Sequence, residues 1–142
     1  MTELLELRGV VEAAPDAVAE VLLDVRPGGR SPFAPTGEIE SRNGDEFVVT
    51  HDGSRITVTV DRGARTVRQQ GEWWYRAVTT VQPDPRGAVV VHQIFNVAQG
   101  HDWAVRFVSR GPLHAAPAAF AAHIDHLGLQ LNCPAWVIDD GS

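Results

Sequence analysis

Between residues 37 and 98 the chain is broken by turn signals at Asn43-Gly44, Asp52-Gly53, Arg62-Gly63 and the run Pro83-Asp84-Pro85-Arg86-Gly87. Links this short can join neighbouring strands only antiparallel, because a parallel return needs a crossover of a dozen residues or more. Six short strands fit between them, near 37 to 42, 45 to 50, 55 to 61, 65 to 70, 72 to 82 and 88 to 98. Alternation assigns one face to Phe47 and Val49, to Ile56, Val58 and Val60, to Trp73, Tyr75, Ala77 and Val81, and to Val89, Val91, Phe95 and Val97. Glu46, Arg55, Thr57, Thr59, Glu72, Arg76 and Gln82 take the other, so one face is apolar and one is wet.

The flanks supply what an apolar sheet face needs. Leu5, Leu7 and Val11 alternate with Glu6, Arg8 and Glu12, which predicts a first strand. Pro15 and Asp16 suit a first helical turn, and Val18, Val21, Leu22 and Val25 recur at helical spacing after it. The run Arg26-Pro27-Gly28-Gly29-Arg30-Ser31-Pro32 reads as a mobile entrance loop. Trp103, Phe107 and Val108 suggest a short helical piece that Gly111-Pro112 should end. A long helix is predicted from about 116 to 131, with Ala116, Phe120, Ile124, Leu127 and Leu131 in one stripe, His123 on its flank, and Asp125 and His126 turned away. The tail from about 133 reads as irregular. The stripe has only the apolar sheet face to pack on. The expected architecture is therefore a single α+β domain over residues 1–142, a bent seven-stranded antiparallel sheet wrapped around a long C-terminal helix.

Composition narrows the chemistry. Eighteen carboxylates against 12 cations, a net charge of −6, disfavour nucleic acid and anionic membranes as partners. All the cations are Arg; without Lys there is no Schiff base, no pyridoxal phosphate anchor and no phosphate-loop lysine. One cysteine, Cys133, forms no internal disulfide, and neither a signal peptide nor a membrane span is evident, so a cytoplasmic protein is expected.

This element order, with Ala64-Arg65-Thr66-Val67-Arg68, Val91-His92-Gln93-Ile94-Phe95 and Ala122-His123-Ile124-Asp125, resembles the START-like helix-grip (Bet v 1-like) superfamily over nearly the whole chain. Within it the chain resembles polyketide cyclase/dehydrase proteins. The resemblance implies a cavity between sheet and C-terminal helix that holds a hydrophobic or aromatic small molecule without a cofactor. The wall expected from it comprises Phe47, Val49, Val58, Trp73, Tyr75, Gln93, Phe95, Phe120, His123, Ile124 and Leu127. Cyclases of this group resemble one another in a Trp and a Tyr near the loop after the first helix and an Arg facing the cavity. Here that loop offers Phe33, the matching strand places Ile56, Val58 and Val60 inward, and Arg65 and Arg68 read as solvated.

The candidate chemical groups are three. Gln93 falls between Val91 and Phe95 on the expected apolar face, where an amide must find partners or a ligand. Tyr75 offers a phenol that can bind or protonate a carbonyl, and His123 an imidazole suited to general base work near neutral pH. His51 opens a turn. His123 and His126 have a metal-like spacing but no convincing third ligand, with Asp125 and His114 nearby, so no metal is expected. His101-Asp102 are adjacent in sequence, a poor arrangement for a base and its orienter. No G-x-S-x-G stretch supports a nucleophile. The leading reading is a small-molecule binder. The alternative is a cyclase or dehydratase acting on a poly-keto chain carried by an acyl carrier protein, with Tyr75, Gln93 or His123 as acid or base. A third is an interaction protein that self-associates through Trp136 into a homodimer.

Overall fold

The computed structural model describes residues 1–100 and 102–138. The elements run β1 (Thr2–Val11), α1 (Pro15–Leu22), β2 (Glu38–Asn43), β3 (Glu46–His51), β4 (Ser54–Asp61), β5 (Thr66–Gln70), β6 (Tyr75–Asp84), β7 (Gly87–Asn96), α2 (Asp102–Val108), α3 (Arg110–Leu131) and β8 (Ala135–Ile138). The strands form one antiparallel sheet in the order β2-β3-β4-β5-β6-β7-β1-β8. The predicted turns close the hairpins. Asp52 and Gly53 fill the loop between paired His51 and Ser54, both with positive φ (49° and 80°), the backbone a two-residue hairpin needs to match strand twist.

The inner face carries Val11, Val58, Val67, Val81 and Val90, all buried together with Val18 and Leu22 of α1 and Phe120, Ile124 and Leu127 of α3. The predicted stripe on the last helix is thus the one that meets the sheet. It approaches so closely because β1 carries Gly9 at the crossing. A Cβ there would lie 2.7 Å from the Cδ1 of Ile124, a side chain with no exposed surface in which to retreat.

Four expectations are corrected. The sheet has eight strands, since Asn132 takes a left-handed conformation (φ 53°), ends α3 and returns the chain, and Ala135–Ile138 pairs with β1 instead of forming an irregular tail. Gly111-Pro112 opens α3 at Arg110 and does not end a helix. Pro112 sits in the first turn, where the missing N–H has no intrahelical acceptor to lose. Trp73 is 47% exposed in the bend before β6, while its neighbour Trp74 is buried against Ile94 and Val105; outside a ladder, alternation is not enforced. On β7 the parity is reversed. Val89 and Val91 pack on the outer face with Val10 and Ile138, and the inner positions are Ala88, Val90, His92 and Ile94.

Candidate functional site

The loop after α1 is folded over the sheet and fastened at several points. Asp24 receives hydrogen bonds from the backbone N (3.1 Å) and Nε (3.3 Å) of Arg30 and from Arg26 Nε (3.0 Å). Burial alone would raise the Asp24 carboxyl, but the bonds from Arg30 and the charge of Arg26 outweigh it and hold it below its usual range. Gln130 of α3 donates to the Arg30 carbonyl at 2.6 Å. Further along, the buried Gln69 amide donates to the Phe33 carbonyl at 2.8 Å. These bonds set Phe33, 7% exposed, with its ring 5.3 Å from His92, 6.2 Å from Phe120 and 4.8 Å from His123.

Behind that loop lies a cavity of about 400 Å³. Its wall is built from Phe33 and Thr36 of the loop, Gln69 of β5, Tyr75 of β6, His92 and Ile94 of β7, and one side of α3. There Ala115, Ala116 and Ala119 keep the space open, while Phe120 and His123 narrow it. Among the described residues, no carboxylate, arginine or lysine lines the cavity. Burial, reinforced by the charge of His123, pushes His92 down to about 4. His123 is also lowered, by burial and then by His126, and burial raises the Tyr75 phenol. At neutral pH the three titratable groups among the described wall residues, Tyr75, His92 and His123, are therefore uncharged.

The structure brings together fewer of the anticipated residues than expected. Tyr75, Phe120 and His123 line the cavity. Phe47, Val49, Val58, Ile124 and Leu127 are buried in the core and form no part of its wall. Trp73 lines a separate groove with Arg55, Ile56 and Pro112. Gln93 and Phe95 lie on the outer face, where the Gln93 amide donates to Glu3 at 3.0 Å, because β7 is phased by its hairpin with β6. His92 takes the inward place that the expected parity gave to Gln93. Counting outward from the two-residue loop Pro85-Arg86 sets His92 opposite Thr79 and would have located it. Gln69 and Thr79 carried no signal of their own; each is a buried polar residue whose partner lies on another segment.

The remaining candidates fall elsewhere. His51 is an exposed turn residue beside Asp52 (3.3 Å), and Arg65 pairs with Asp16 (2.8 Å). His114, Asp125 and His126 are exposed, and no group of three His, Cys, Asp or Glu side chains gathers among the described residues. His101 and the Asp102 side chain lie outside the described residues. Cys133 is away from the cavity, its thiol pushed up by burial. A cleft of about 320 Å³ contains Arg26, Arg30, Arg42 and Arg62, but each donates to Asp24, Asp45 or a backbone carbonyl, so the cluster braces loops.

Solved structures share this architecture. A protein from Thermobifida fusca determined by solution NMR superposes with a TM-score of 0.56 at 20% identity, covering 86% of this chain and 89% of that one. Ara h 8.0201 superposes at 0.53 with 13% identity, covering 90% and 98%. The fold is the Bet v 1-like helix grip. Identities this low establish the fold alone. No protein-family model matches the chain, and neither does any curated protein. Among the described residues no helix is long and apolar enough to cross a membrane.

Proposed function

We propose that this chain binds a flat hydrophobic or aromatic small molecule, polyketide-like or lipid-like, in the cavity between loop, sheet and α3. The observation that carries this reading is the wall itself. A space of about 400 Å³ is lined by three aromatic rings, four alanines and a few neutral polar tips, with no charge among the described residues to favour an ionic ligand. Small-ligand pockets combine these features, at volumes of roughly 300–1,000 Å³. Trp74 packs edge-on against Tyr75 at 5.5 Å and so reports on occupancy. Planar aromatic ligands are expected to change tryptophan emission and raise the melting temperature, with and without zinc. Ala119→Phe, which fills the space from α3, is expected to weaken binding at least tenfold. A panel of aromatic polyketides and lipids that moves neither signal would overturn the reading.

A second reading, a cyclase or dehydratase taking its poly-keto chain from an acyl carrier protein, draws support from the neutral Tyr75 and His123 on one wall. Holding one fold of such a chain biases closure by proximity, whereas proton transfer by a placed side chain adds about 10² to 10⁴-fold in rate. Among the described residues, no wall arginine stands ready to stabilise an enolate. Tyr75→Phe and His123→Ala are therefore expected to leave single-turnover closure of a carrier-tethered substrate nearly unchanged. A hundredfold loss in a variant that still binds would establish the enzyme instead.

A further inference from the structure

His92 is held more tightly than a ligand-lining histidine needs to be. Its ring stacks on Phe120 (5.9 Å, 22° between planes), and Phe33 leans on it from the loop. Its Nδ1 lies 2.8 Å from the hydroxyl of Thr79, the residue opposite it on β6. Its Nε2 has no partner among the described residues, yet is not sealed from solvent, and on the inner face of the sheet the open space is the cavity.

Hydrogen-bond accounting fixes the direction of the Thr79 contact. Thr79 is 1% exposed, and its hydroxyl hydrogen has no acceptor among the described residues other than Nδ1. Were Nδ1 to carry the proton, that hydrogen would be left buried and unbonded, the costlier arrangement. Thr79 therefore donates, and Nδ1 accepts through its lone pair. A neutral imidazole with its lone pair on Nδ1 carries its hydrogen on Nε2.

We propose that Thr79 is a positioning residue that makes His92 a fixed Nε2–H donor into the cavity, and that the preferred ligand is a planar aromatic ketone or quinone whose carbonyl oxygen accepts from it. This rests on the cavity-binding reading and names its ligand class. A carbonyl suits the site better than a carboxylate. The donor is uncharged, and among the described residues the wall holds no arginine to offset the desolvation of an anion. Burial against the aromatic rings opposes a second proton on the ring, so the donor persists through the neutral range.

Fluorenone, fluorene and fluorene-9-carboxylate present one flat skeleton with a carbonyl, with no acceptor and with a charge. Calorimetry on the wild-type protein is expected to show fluorenone binding about tenfold tighter than fluorene, the gain of one neutral hydrogen bond, and the carboxylate weakest. The carbonyl stretch of bound fluorenone should fall below its value in hydrocarbon solvent. His92→Phe should bind both neutral compounds equally, with that stretch restored. In the ligand-free protein, long-range proton–nitrogen NMR should show Nδ1 of His92 as the unprotonated nitrogen, and Thr79→Val should yield a mixture of tautomers. Equal wild-type affinities with an unshifted carbonyl, or a proton found on Nδ1, overturn this inference and leave the cavity reading standing. Failure of both neutral compounds to bind overturns the two together.

Discussion

Phe120→Ala is expected to cost about 3–5 kcal/mol of stability, while His126→Ala, one helix face away, stays within about 0.5. Phe120 is 1% exposed and touches three layers of the molecule. It meets the buried apolar cluster of the inner sheet face, the ring of His92 on β7, and Phe33 from the loop. Removing the ring loses its transfer free energy and also takes one packing partner from each of the His92 and Phe33 rings. His126 is exposed on the same helix and meets none of these. Ile124→Val provides the intermediate step, about 0.5–1.5 kcal/mol, because Ile124 is fully buried over Gly9 but loses only one methylene. Guanidinium midpoints at unchanged slope measure all three. If His126→Ala destabilised the protein as much as Phe120→Ala, the facing of α3 would be wrong.

The architecture was legible because turns and one-sided strands constrain each other. Asn43-Gly44 and Asp52-Gly53 fix where the chain reverses, and Phe47-Val49 and Ile56-Val58-Val60 then have a single phase compatible with a buried face. The same logic failed on β7 because Ala88 to Val91 is apolar at every position. Both faces are apolar and buried there, the inner one in the core and the outer one in a cluster with Val10 and Ile138 of the neighbouring strands, so alternation carries no phase. The slip of one residue exchanged His92 for Gln93 and Ile94 for Phe95 in the expected site. β8 escaped notice because four residues are too short for periodicity, and its place is set by the left-handed turn at Asn132 and by pairing with β1. Of the site, Tyr75, Phe120 and His123 were readable from local pattern. Phe33, Gln69 and Thr79 act through partners 36 and 13 residues away in the chain, which no local window contains.

Acid should reveal His92 directly: between about pH 6.5 and pH 4 the protein is expected to lose on the order of 3 kcal/mol through this one group. Burial holds its folded-state value at about 4, against 6.5 for a free imidazole. In that interval the unfolded chain binds a proton that the folded chain refuses, so stability rises with pH there. The contribution is intact above 6.5, falls away as pH drops, and levels off below about 4. At 1.36 kcal/mol for each tenfold change in proton affinity, the gap corresponds to about 3 kcal/mol. The groups facing His92 reinforce the sign. His123 on α3 is itself lowered by burial and adds like charge if protonated, Tyr75 stays neutral, and among the described residues no carboxylate on the wall can pair with an imidazolium. Asp24 acts in a different window. Its lowered carboxyl contributes stability that is lost only as pH falls below the ordinary carboxyl value of 3.8. His92→Phe keeps a ring between Phe120 and Phe33 and removes the titration. Urea unfolding at pH 7, 5.5 and 4 should therefore show a flatter profile for this variant than for the wild type. Identical slopes would place the acid loss on groups other than His92.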